Sequence, residues 1–359
     1  MSEGLRYDVA AVRAFARQLF EAAGLASDKI DSVVRSLVTA DMMGHTTHGL
    51  AIAPWYLQEA RSGAMALHGE PEVLSDRGAC VAWNGRRLPG AWLIDRAIDV
   101  ALERIEAHGV VTCTIANGYH TGALATYLPR LTERGLMVVL ACSGPAHSGV
   151  APFGGTRGVF TPNPLAAGMP SGGDPVLLDI SCSITTIKRS TQVAKAGGRL
   201  PGQWVMDARG EPTDDPAVLL QGDGSLLPIG GLDHGHKGYA MALLVESLTQ
   251  GLSGYGRRDG HTGTVMNTFL QVLDPAAFGG RSAFTDETDW LIEACHANPP
   301  RPGVDRVRVP GDQAMARQRT ALAEGVVLDQ AILDGLAPYA SACGLALPQA
   351  LNQRDTQAA

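Results

Sequence analysis

The sequence predicts an α/β protein with a core of alternating strands and helices and helical additions at both chain ends. Three observations carry this reading. From Cys80 onward, short apolar runs of strand length alternate with longer runs of helical period. Both ends of the chain show the helical period alone. At 359 residues the chain exceeds one ordinary core and suits two or three lobes.

Taken in order, Asp8 can cap a helix carrying Val9, Val12, Phe15, Ala16, Leu19 and Phe20 on one face, ended by Gly24. Ser27 is expected to cap a second, striped by Ile30, Val33, Val34, Leu37 and Val38 and ended near Gly44. A short helix follows over 54–63, with Pro54 in its first turn. Strands are expected at 80–83, 110–116, 136–143, 176–181, 265–273 and 305–309. Helices are expected at 91–107, 122–133, from 181 to about 196, and at 236–252, 286–297, 313–323 and 329–343. The long Gly-, Pro- and Asp-rich stretches 143–173 and 198–235 read as functional loops, and 353–359 as a frayed tail.

Composition narrows the function. Hydrophobic residues are 45% and charged residues 18%, which fits a packed globular chain and excludes wholesale disorder. The net charge of -7, with no basic face, argues against nucleic-acid or membrane partners. No apolar run approaches the roughly 18 residues of a membrane span, and the first residues lack the pattern of a signal peptide. The six cysteines are far apart without a C-x-x-C pair, so a reduced, cytoplasmic protein without disulfides or a metal site is expected.

Five constellations carry possible chemistry. Gly44-His45-Thr46-Thr47-His48-Gly49 follows a helix end, where a histidine in a glycine-flanked turn can be aimed at a ligand and donate a proton. Exposed or helix-capping histidines are the plainer alternative, and a His-x-x-His metal pair lacks a third ligand nearby. Asn117-Gly118-Tyr119-His120-Thr121-Gly122 lies between a strand end and a helix start, where open sheets bind ligands, although turn hydrogen bonds alone explain it equally well. Leu178-Asp179-Ile180-Ser181-Cys182-Ser183 is a strand tip with hydroxyls suited to phosphate or ribose, or else a plain helix cap. His234-Gly235-His236-Lys237-Gly238-Tyr239 heads a helix, where a lysine opposes the dipole unless an anion is bound. Val309-Pro310-Gly311-Asp312 is a turn. The dinucleotide fingerprint, the P-loop and the G-x-S-x-G hydrolase motif are all absent.

Taken together, these segments resemble the malate/L-lactate dehydrogenase family of non-Rossmann, NAD(P)-dependent 2-oxo acid reductases. The resemblance runs from Ala40-Asp41, Thr47-His48-Gly49-Leu50, Pro54 and Tyr56 through Asn117 to His120 and Val150 to Gly155. It continues over Asn163 to Ala166, Leu178-Asp179, Trp204 to Pro216, Leu227-Pro228 and His236 to Tyr239, ending with Asp274-Pro275, Phe278 to Gly280 and Arg308 to Asp312. It implies the family's distinctive fold, with a helical lobe built from both chain ends, and a homodimer. The division implied is a helical lobe over 1–75, an α/β core over 76–310 that binds cofactor mainly through 120–310, and closing helices over 311–359.

By the same resemblance, NAD or NADP would be held by Ser143, Asp179, Ile180, Ser181, His236, Lys237, Gly238, Pro310, Gly311 and Asp312. His48 ranks first as acid/base with His120 beside it; Thr47 would hydrogen-bond the reacting atom, Asp179 would help orient the site, and Asn117 would stand near the substrate. Two positions depart from the family. Thr47 replaces a serine and keeps its hydroxyl, and Ile52 replaces the arginine read as the clamp on the substrate carboxylate. Lys188, Arg189 or Arg157 is then the candidate cation. The activity expected is hydride transfer between nicotinamide and a 2-oxo or 2-hydroxy acid. The alternatives are reduction of a C=N bond in cyclic or N-alkyl amino-acid precursors, and cofactor binding without turnover.

Overall fold

The computed structural model describes residues 4–222 and 224–351; the expected tail 353–359 and residues 1–3 lie outside them. Asp8 caps the first helix, Val9–Ala22, its Oδ1 accepting the Ala11 N–H at 2.7 Å. The second helix, Ser27–Met43, begins at Ser27 itself, with Ala26 as the cap and no side-chain bond, and Gly44 closes it at φ +90°. A third helix, Ala53–Ser62, carries Pro54 in its first turn and ends at Gly63. The chain ends meet in a two-stranded ribbon, Leu5–Tyr7 against Val326–Leu328. Helix Ser27–Met43 packs on Asp312–Glu324, and Ala53–Ser62 on Gln330–Ala342.

The central sheet has seven strands in the order Glu72–Asp76, Cys80–Asn84, Val110–Gly118, Met266–Leu273, Met137–Ser143, Leu165–Met169, Val176–Ile180. Neighbours are antiparallel except Cys80–Asn84 with Val110–Gly118, the pair joined by helix Gly90–His108. Strand Met266–Leu273 inserts between Val110–Gly118 and Met137–Ser143 and opposes both. Its first residues pair with Gly118 and Ser143, so two strand ends open at one edge. Successive residues point to opposite faces. Leu140 and Leu270 enter a large core shared with the helices of both chain ends, while Ala141 and Phe269 enter a second core with Phe160, Val205, Leu226 and Val245.

Several elements differ from expectation. The helix expected at 122–133 is a 3₁₀ segment, Leu124–Tyr127, and one turn, Pro129–Thr132, because Pro129 cannot donate into a continuing helix. The strand expected at 305–309 is absent from the described residues; the following turn meets the sheet edge, where the Pro310 carbonyl accepts the Leu177 N–H at 2.9 Å. The helix at 236–252 starts earlier, as Gly231–Glu246, and its last turn, Ser247–Gly251, is π-helical. Helix Arg281–His296 likewise starts five residues ahead of the expected 286. A small sheet of Ser225–Leu226, Val205–Met206 and Pro212–Thr213 structures the second long loop. Among the described residues, no helix is long and apolar enough to cross a membrane, and no group of three side chains is placed to hold a metal ion.

Candidate active site

The turn after helix Ser27–Met43 is held from inside by Asp41. This buried carboxylate accepts the Leu50 N–H at 2.7 Å through Oδ2, while Oδ1 has no hydrogen-bond partner among the described residues. A Cβ at position 49 would lie 1.9 Å from Oδ1, so only glycine lets the turn fold over Asp41. Burial pushes the Asp41 carboxyl up to about 7, against the Leu50 N–H and the charge of Lys188, which pull it down. His48 sits on this turn. Its backbone N–H reaches His45 O at 2.8 Å, and Thr47 Oγ1 lies 2.9 Å from its Nδ1. Thr47 therefore engages the neighbouring ring.

His120 follows the end of strand Val110–Gly118, where Asn117 turns the chain at φ 50°. The Tyr56 hydroxyl lies 2.6 Å from His120 Nδ1, and the Gly122 N–H donates to the same nitrogen at 3.3 Å. Burial raises the Tyr56 phenol well above its usual range, so the phenol keeps its proton and donates it. Nδ1 is then the acceptor, and the imidazole proton resides on Nε2. The His48 and His120 rings stack at 5.9 Å with planes 10° apart. Burial, then the neighbouring Lys188 and His45, lowers His48 to about 4. Burial, then His48 and Lys188, lowers His120 to about 3. Both rings are neutral at neutral pH.

Asp179, near the end of strand Val176–Ile180, accepts the Ala125 N–H at 2.8 Å, and burial raises its carboxyl. These groups surround a cavity of 400 Å³, which brings together His45, Thr47, His48, His120, Asp179, Ser181 and Lys188. Thr121, Thr161, Cys142 and Met266 complete much of its wall. A second cavity of 320 Å³ shares His45 and Asp179 with it and is lined by Ile180, Arg308, Pro310, Gly311 and Arg317. Both volumes fall in the range of small-molecule sites.

Other expected residues lie elsewhere. Ser143 is wholly buried, its Oγ held by Thr249 Oγ1 at 2.6 Å and Gln250 Nε2 at 2.9 Å, so its side chain faces protein. His236 and Lys237 are exposed on helix Gly231–Glu246, outside both cavities. Gly238 is a packing residue, because a Cβ there would lie 2.4 Å from Ile229 N. Asp312 is occupied by the Val309 N–H at 3.1 Å and His296 Nε2 at 2.8 Å. Asn117 is engaged by Asn84 and Asn267 and completes a turn. Ile52 is buried outside the cavity lining, while Arg189 and Arg157 are exposed and line neither cavity. Asp41 and Tyr56 entered the sequence reading only as parts of the resemblance. Their roles depend on partners that no local pattern reveals.

Comparison with known proteins supplies the context. The family model of malate/L-lactate dehydrogenase matches residues 7–337. The chain is 30% identical over 355 residues to the L-lactate dehydrogenase of Cupriavidus necator, covering 96% of this chain and 100% of that protein. It is 28% identical over 333 residues to the Delta(1)-pyrroline-2-carboxylate/Delta(1)-piperideine-2-carboxylate reductase of Pseudomonas syringae pv. tomato, covering 89% and 92%. The fold matches the crystal structure of malate dehydrogenase from Entamoeba histolytica with a TM-score of 0.90 at 21% identity, covering 96% and 100%.

Proposed function

The chain belongs to the malate/L-lactate dehydrogenase family, and on that premise we propose that it interconverts a 2-oxo acid and its 2-hydroxy acid in the His48–His120 cavity. The observation that carries the reading is the pair of parallel, neutral imidazoles in a cavity that shares Asp179 with a second, arginine-lined one. The donor set fits a dinucleotide. Ser181, Thr121 and Thr161 line the first cavity with hydroxyl oxygens, of which Ser181 and Thr161 donate their protons within the protein, and Arg308 and Arg317 offer cations for a diphosphate in the second. NAD or NADP, when bound, supplies or accepts the hydride. Asp179, Ile180, Ser181, Pro310 and Gly311 are the residues assigned to hold it.

The protein's own part is to position the substrate and move one proton. In oxidation, neutral His48 accepts the proton of the substrate hydroxyl; in reduction it returns that proton to the carbonyl oxygen. Thr47 fixes the ring of His48 through Nδ1. His120 donates a hydrogen bond from Nε2 to the same oxygen, and Tyr56 holds it in that tautomer. The organisation assigned is a helical lobe over 1–75, a core over 76–310 and closing helices over 311–359, in a cytoplasmic homodimer.

A second reading, reduction of a C=N bond, is favoured by the similarity to the Pseudomonas reductase. The test is oxidation of NADH and of NADPH with a panel of 2-oxo acids, each with and without methylamine. Turnover on the acid alone supports the dehydrogenase, and turnover that requires the amine supports the imine reductase. Cofactor binding with no turnover on any member of the panel contradicts both.

A further inference from the structure

Among its described lining residues, the His48–His120 cavity contains one lysine or arginine, Lys188. It is the second residue of helix Ile187–Lys195, and Thr186, Ile187 and Lys188 all face the cavity. An ammonium has three N–H donors. Among the described residues one is used, on the Thr47 carbonyl at 2.7 Å. Lys188 forms no ion pair with a described carboxylate; Asp41 acts on it only through space. Burial pulls the ammonium down to about 8, with Asp41 pushing back.

Among the described residues, no other titratable group around the cavity pairs directly with Lys188, and Asp41 acts on it only at a distance. His48 and His120 are neutral, and His45, which lines both cavities, is not an anion. Asp41 and Asp179 each accept a backbone N–H and are raised by burial toward the protonated form. A half-buried cation with open donors and no directly paired carboxylate among the described residues is completed by an anion from outside.

We propose that Lys188 binds the substrate carboxylate and sets the preference for an anionic 2-oxo acid over a neutral carbonyl compound. This rests on the dehydrogenase reading above. Its anchor on the Thr47 carbonyl places the carboxylate clamp beside the residue that carries the proton.

The probe is oxamate, a non-reducible mimic of a 2-oxo acid, titrated calorimetrically into the full chain loaded with NADH or NADPH. Lys188→Met should weaken oxamate by about 10–100-fold, the value of a charge-assisted bond, while leaving cofactor affinity intact. Lys188→Arg should recover most of the loss. The neutral probe pyruvamide should bind wild type and Lys188→Met alike, which a merely structural role for Lys188 would not give. Wild-type affinity for oxamate should fall above about pH 8, as the ammonium deprotonates, and the fall should be absent in Lys188→Arg, which keeps the assay decisive if the methionine variant misfolds. Equal oxamate affinity in wild type and Lys188→Met, or a wild type that binds no oxamate, overturns the proposal. Turnover of 2-oxo acids with oxamate affinity indifferent to position 188 overturns this role alone. Oxamate binding that depends on Lys188, without turnover, overturns the dehydrogenase reading alone.

Discussion

At the scale of residues, burial keeps both imidazoles of the cavity neutral. Tyr56 fixes the tautomer of His120, so Tyr56→Phe should let the imidazole proton exchange between nitrogens, visible by nitrogen NMR. It should lower turnover by about 2–10-fold, the value of one neutral hydrogen bond. Asp41 gives a stability prediction with a definite sign. Its folded-state value of about 7 stands above its unfolded value, so the folded protein holds the extra proton. Its contribution is full below the unfolded value near 3.8 and is lost as pH rises through about 7. Asp41→Asn keeps the acceptor for Leu50 and cannot ionise. Relative to wild type it should gain roughly 2–4 kcal/mol between pH 4 and pH 8 in denaturant melts; a constant difference across that range contradicts the assignment. Glycine-flanked turns and a strand tip marked His48, His120 and Asp179 in the sequence only as candidates beside plainer readings, and the resemblance alone ranked them; the fold brings all three to one cavity. Ser143 was legible as a strand end, but the direction of its hydroxyl was not, since one position of strand parity decides whether it meets protein or ligand.

At the scale of elements, glycines set how closely the pieces approach. Gly49 lets its turn close over Asp41, and Gly238 lets helix Gly231–Glu246 lie against Ile229 and Cys182. Gly49→Ala and Gly238→Ala should each cost about 1–3 kcal/mol or more as overpacked sites, measured as a lowered melting temperature. Gly49→Ala should also lower activity, because it displaces the His48 turn. Helices Val9–Ala22, Gly90–His108 and Gln330–Ala342 were predictable within a residue or two, since each buries one face and meets a plain start or stop signal. The strands that escaped notice lack such marks. Glu72–Asp76 is exposed along its whole length and shows no alternation of burial, while Leu165–Met169 is built of Leu, Ala, Gly and Met without a β-branched residue. The reversed direction of Met266–Leu273 is a long-range pairing, and no local pattern encodes it.

At the scale of the whole molecule, one core joins the helices of both chain ends to the sheet, so the ends should unfold together. Helix Gly231–Glu246 exposes Leu243 and Leu244, and helix Arg281–His296 exposes Trp290 and Leu291. These are the faces to mutate to charge if light scattering gives twice the mass of one chain, as the homodimer proposal expects. Cofactor at a hundred times its dissociation constant should stabilise the fold by about 2.7 kcal/mol, read as a higher melting temperature. In the proposed reaction His48 carries the proton, and the decisive measurement is turnover of His48→Ala on a 2-oxo acid with cofactor affinity titrated in parallel. A fall of roughly 10²–10⁴-fold in kcat with cofactor binding retained is expected; turnover within a few-fold of wild type would remove His48 from that role.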